Sequence, residues 1–182
     1  MSRAFVQESD DDFSADDVPA IKDPLPPGVK NYMTPEGAER IKQELNELSS
    51  REHPRLAARI STAIRQEKGV PKEELARERH RLREMERRIE YLTLMFNKLE
   101  VVELHNQNPE QVLFGAKVTV EVSGKQKCYR IVGIDESDPQ SGRISWISPL
   151  ARALLSKKVG ETTRLELPGG TRTYKIKKIE YS

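Results

Sequence analysis

Residues 72–99 read KEELARERHRLREMERRIEYLTLMFNKL, and their spacing decides the fold. Leu75, Leu82, Ile89 and Phe96 recur every seven residues, with Met85, Leu92 and Leu99 as a second seam interrupted only by Glu78. Such a repeat predicts a long helix that lays a narrow apolar stripe against a second helix. That second helix lies upstream. Thr34 can cap it, Pro35 suits the first helical position, and Glu36 is favoured by the helix dipole. Ala38, Ile41, Leu45 and Leu48 then repeat at helical spacing, and the stripe resumes as Leu56, Ile60 and Ala63 or Ile64. Pro54 removes a backbone donor between the two runs and is expected to kink the helix. Lys68-Gly69-Val70-Pro71 breaks the pattern as a turn. Two helices of similar length around a short turn make an antiparallel coiled-coil hairpin. At ~1.5 Å per residue, a first helix of about 30 residues spans roughly 45 Å.

Downstream the period changes from helical to alternating. Val118-Val120-Val122, Cys128 to Val132 and Arg143 to Ile147 read as strands, with Ser123-Gly124-Lys125 as a turn. Ser148 caps a short helix with Pro149 at its first position. Thr163 to Leu167 and Thr171 to Ile176 flank Pro168-Gly169-Gly170 and predict a final hairpin. The predicted class is α+β: residues 31–105 form the hairpin, and residues 106–182 form a small β-sheet domain with one short helix.

With 33% of its 182 residues charged and a mean hydropathy of -0.70, the chain must be largely solvated surface. No apolar run reaches the ~20 residues that span a bilayer, so a cytoplasmic protein without a membrane partner is expected. A single cysteine, Cys128, excludes an internal disulfide; its strand position suggests a small core residue. Residues 1–30 read as a disordered acidic tail and Pro-rich linker. Residues 1–29 carry Glu8, Asp10, Asp11, Asp12, Asp16, Asp17 and Asp23 against Arg3 and Lys22, a balance of about −5. The net charge of +2 leaves about +7 on the remainder (2 minus −5), a weak pointer to a polyanionic partner.

Several motifs resemble one family. Arg83-Glu84-Met85-Glu86-Arg87-Arg88-Ile89-Glu90-Tyr91-Leu92 is similar to the second hairpin helix of the Gre (GreA/GreB) transcription elongation factors, on their GreB side. Phe114-Gly115-Ala116, Tyr129-Arg130-Ile131-Val132-Gly133 and Ser148-Pro149-Leu150-Ala151-Arg152-Ala153-Leu154-Leu155 resemble the C-terminal domain of that family in order and spacing. The resemblance covers residues 31–181. It implies an FKBP-like C-terminal domain docked on RNA polymerase and a monomeric factor whose hairpin reaches through the secondary channel. It also implies two tip carboxylates that help hold the second Mg²⁺ of the polymerase active site, where backtracked RNA is cleaved. It implies no cofactor of the factor's own.

The tip departs from the family pattern. Aligned from Pro54 on one side and Leu82-Arg83-Glu84 on the other, the family's Asp falls on Lys68 and its Glu on Pro71. Lys68 would place a cation where a Mg²⁺ ligand is expected. Glu67, Glu73 and Glu74 lie close by and are the candidate replacements. The implied contacts with the nascent RNA 3′ end fall on Arg77, Arg81 and Arg88, within a run that also holds Arg79, Arg83 and Arg87. The competing explanation is a solvated flank paired with Glu78, Glu84, Glu86 and Glu90. The implied polymerase-docking loop is Ile147-Ser148-Pro149, with Ile147 where the family carries Asp or Asn; Ser148 is equally explained as a helix cap. Trp146 is expected in the core or at an interface. His53, His80 and His105 show no metal-like spacing, and no nucleophile triad or phosphate loop is present. Three functions follow: a cleavage-stimulating factor with relocated acids, a non-cleaving modulator of the channel, or an FKBP-like isomerase or chaperone module.

Overall fold

The computed structural model describes residues 21–65, 71–104 and 109–181. Strand β1 (Asn31–Met33) leads into α1 (Pro35–Glu47), a π turn (Leu48–Glu52) and α2 (His53–Arg65). Helix α3 (Lys72–Asn97) returns, and β2 (Leu99–Val101) pairs in parallel with β1. The predicted turn at 68–70 lies outside the described residues. Thr34 caps α1 as expected: its side chain accepts from the Gly37 amide at 3.1 Å.

The hairpin is antiparallel, as its two apolar clusters show. Near the base, Met33, Ala38 and Ile41 pack with Leu92; further out, Leu56 and Ile60 pack with Met85, flanked by Leu75, Leu82 and Ile89. At Pro54 the helix departs from regular α geometry. A π turn precedes it, with the His53 amide donating to the Leu48 carbonyl. Leu48 and Leu56 are eight apart and would sit about 80° apart on a regular α-helix at about 100° per residue. The wider turn absorbs a residue, so both face α3. At the far end Ala63 is half-buried and Ile64 is 50% exposed, which decides between the two candidates for the stripe.

The heptad reading fails at the base of α3. Phe96 is exposed while Met95 is fully buried; Leu99 lies in β2 but still packs with the Leu92 cluster, as the second seam expects. The cause is a change of partner. The N-terminal segment meets the last turn of α3, where the Asn31 side-chain amide donates to the Met95 carbonyl and the Asn31 backbone amide to the Lys98 carbonyl. The Pro-rich stretch is likewise no free linker in its described part. Leu25 is 4% exposed, and the Asp23 carboxylate accepts from the Leu25 amide and pairs with Lys98.

The C-terminal sheet has the order β5-β4-β3-β7-β6, built from β3 (Lys117–Val122), β4 (Lys125–Val132), β5 (Arg143–Ser145), β6 (Thr162–Leu167) and β7 (Gly170–Glu180). Its inner face supplies Val118, Val120, Ile131 and Ile176, covered by Ala151 and Leu154 of α4 (Pro149–Leu154). Two expectations need correction. Strand β5 ends at Ser145, because the Ser148 amide turns back to the Ser145 carbonyl. Cys128 is exposed, because the register pairs it with Thr119, on the face opposite the Val118–Tyr129 pair.

Candidate functional site

No side chain caps the start of α3 at the tip. Pro71 occupies the N-cap of α3 and has no side-chain oxygen to offer the first turn; its carbonyl accepts from Glu74 and Leu75 at 3.0 and 3.1 Å. Glu73 and Glu74 lie in that first turn, where the helix dipole favours acids, which explains them without any ligand. A Glu74 oxygen also lies 3.7 Å from the Arg59 guanidinium, and Arg59 pairs with Glu78. Glu67 and Lys68 lie outside the described residues. No group of three or more His, Cys, Asp or Glu side chains among the described residues is placed to hold a metal ion. Of the expected candidate acids at the tip, Glu73 and Glu74 fall among the described residues.

The arginines of α3 fall on two flanks. By the 3.6-residue period, Arg77, Arg81 and Arg88 share one flank, and Arg79, Arg83 and Arg87 share the other. Arg81 lines a cleft of about 420 Å³ beside the π turn, together with Arg55, Arg59, Glu47 and Glu52. Arg88 is committed elsewhere. It grips both oxygens of Glu44 at 2.7 and 3.0 Å and lies 5.5 Å over the Tyr91 ring, and the Glu44 bond raises the guanidinium above its usual range. The acids expected to neutralise this helix mostly serve other groups: Glu78 pairs with Arg59, Glu84 with His80, and Glu86 with His53.

In the loop before α4, Ser148 accepts from the Ala151 amide at 3.2 Å, so its capping role is realised. Ile147 is half-buried and Pro149 exposed.

The most elaborate arrangement was not legible as a site. It joins the hairpin to the sheet domain. Glu136 is 6% exposed in a 3₁₀ turn (Ile134–Glu136) and accepts from the Thr34 amide at 3.0 Å, the Gly133 amide at 2.9 Å and the Thr34 hydroxyl. Thr34 thus caps α1 and anchors it to the other domain at once. Gly37 is required by this contact, because a Cβ there would overlap the Glu136 carboxylate. Beside it, the Tyr91 hydroxyl donates to Asp135 at 2.7 Å, and burial followed by this bond raises its pKa. Arg40 donates to the Asp135 carbonyl at 3.3 Å. Tyr32 meets Trp146 edge-on at 5.5 Å and Phe114 at 6.4 Å, which places Trp146 at the interface between the domains. The one sequence signal was Gly37 inside a helix start, where a helix former would ordinarily be preferred.

A helical hairpin of this kind, clamped at its base to a curled sheet domain, defines a two-part factor that aims a long finger from a compact foot. The profile described as transcription elongation factor, N-terminal, matches residues 31–101, and that described as transcription elongation factor, GreA/GreB, C-term, matches residues 106–181. The chain belongs to the GreA/GreB transcription elongation factor family. It is 37% identical over 152 residues to transcription elongation factor GreB of Pasteurella multocida, covering 83% of this chain and 96% of that protein. It is 39% identical over 155 residues to GreB of Haemophilus influenzae, covering 83% and 96%. It is also 35% identical over 155 residues to GreA of Methylococcus capsulatus, covering 84% and 98%. Among the described residues, no helix is long and apolar enough to cross a membrane.

Proposed function

We propose that this chain is an accessory factor of RNA polymerase that inserts its hairpin through the secondary channel and acts on backtracked elongation complexes, with weak stimulation of transcript cleavage. The observation that carries the second half is Pro71 at the start of α3, where an acid is expected. A carboxylate pair can hold a hard cation and orient water. A proline ring carries no oxygen and can do neither, and Glu74 lies beside Arg59. The chain's own residues therefore occupy and shape the channel, and the polymerase performs any hydrolysis with its own Mg²⁺.

RNA cleavage in stalled, backtracked complexes, measured beside a polymerase-binding control, tests this reading. Binding with little or no acceleration is expected. Strong acceleration that disappears when Glu67, Glu73 and Glu74 are replaced by Ala would make the protein a cleavage stimulator with relocated acids. Absence of binding would overturn the reading altogether.

A further inference from the structure

The flank of α3 that carries Arg79, Arg83 and Arg87 is left unused by everything described above. The three residues are spaced four apart and exposed, and no described acid forms an ion pair with any of them. Glu90, the next acid along this flank, forms none with them either, and Glu86 is engaged by His53. By the same helical period, Lys98 at the base of α3 lies on this flank, and Lys98 pairs with Asp23. The N-terminal segment is thus pinned at the foot of an unneutralised arginine stripe. Six acids stand just upstream: Glu8, Asp10, Asp11, Asp12, Asp16 and Asp17, with no Lys or Arg between residues 8 and 17.

The lengths match. Residues 17 to 8 precede Asp23 by 6 to 15 residues (23 − 17 and 23 − 8), a reach of up to about 20 to 50 Å at ~3.3 Å each. Arg87, Arg83 and Arg79 precede Lys98 by 11, 15 and 19 residues of helix, about 17, 23 and 29 Å at ~1.5 Å each.

We propose that residues 8–17 dock along the Arg79–Arg83–Arg87 stripe, so that the chain covers this flank with its own acidic segment and any external polyanion must displace it. The contact is electrostatic and exposed, so it is strong at about 0.01 M salt, where charges reach about 30 Å, and lost near 1 M, where they reach about 3 Å. The stripe faces away from Arg77 and Arg81, so the docked segment leaves the cleft beside Arg81 open.

The test uses the full chain with Ser14→Cys and Cys128→Ser, carrying a nitroxide at position 14. Paramagnetic broadening of backbone amide signals is expected at Arg79, Arg83 and Arg87 at low salt. It should vanish near 1 M salt and in an Arg79→Gln, Arg83→Gln, Arg87→Gln variant, and persist in Arg77→Gln, Arg81→Gln. All five arginines are exposed, so the variants keep the fold, which unchanged amide shifts in the sheet domain would verify. Broadening centred on Arg77 and Arg81, on the outer face of the sheet around Lys117 and Lys178, or nowhere would overturn the proposal. So would broadening that survives the triple substitution.

Discussion

The two ends of the hairpin are built on opposite plans. At the base, Thr34, Gly133 and Glu136 satisfy one another in a buried site, with Tyr91, Asp135 and the Tyr32–Trp146 contact beside them. At the tip, α3 begins at a proline with no side-chain cap, and the Arg59–Glu74 pair there is exposed. The base fixes where the finger points. Any chemistry at the tip rests on residue type, because no buried polar side chain fixes a geometry among the described residues there. Substitutions at the tip should therefore change activity and leave stability alone, and those at the base should do the reverse.

The largest effect expected is at the tip. Lys68→Asp with Pro71→Glu should raise transcript cleavage on the order of 10²-fold, the scale by which misplaced catalytic groups commonly differ. The melting temperature should stay unchanged. A gain in neither binding nor cleavage would show that the tip is disabled by more than its missing acids.

Next comes the base. Glu136→Ala strands the Thr34 and Gly133 amides in a buried site and should destabilise the chain by about 2–3 kcal/mol in urea unfolding. Small-angle scattering should report a loosened angle between hairpin and sheet domain. A stable variant of unchanged shape would remove Glu136 as the clamp.

Smaller effects separate the arginines. Arg81→Glu should weaken binding to backtracked complexes by roughly tenfold at low salt, more than to complexes in normal register. Equal losses on both would exclude RNA contact by this residue. Arg88→Ala should cost about 0.5 kcal/mol of stability, since its bonds to Glu44 are half-exposed. A loss of RNA affinity matching that of Arg81→Glu would mean that its pairing with Glu44 opens in the complex.

The smallest effect concerns pH. The Asp23 pKa is held below the ordinary aspartate value, chiefly by its bond from Lys98 and then by the Leu25 amide. A lowered carboxylate contributes stability that is present above its unfolded pKa and fades as pH falls through about 4 and below. Asp23→Asn should therefore flatten the acid limb of the stability profile slightly. An identical acid limb would show that the pair adds nothing.

Most of the architecture was legible because it is written in local periods. Seven-residue spacing marked α3, alternation marked β3, and Thr34-Pro35 and Ser148-Pro149 marked two helix starts, all realised. The readings that failed did so where an element changes partner. Phe96 continues the heptad on paper, but the end of α3 meets the N-terminal segment, and Met95 is buried instead. Cys128 sits on a strand as expected, yet only pairing with Thr119 decides which face it takes.

What the sequence alone determined is a heptad hairpin, an alternating sheet domain and a tip without the expected acid pair, because each is a matter of spacing or residue identity. What only tertiary structure decided is the clamp. Thr34 and Glu136 are 102 positions apart, and neither residue signals the other along the chain. A carboxylate becomes a clamp only when folding removes water from it and supplies three donors in its place. That condition belongs to the packed molecule and to no segment of the chain.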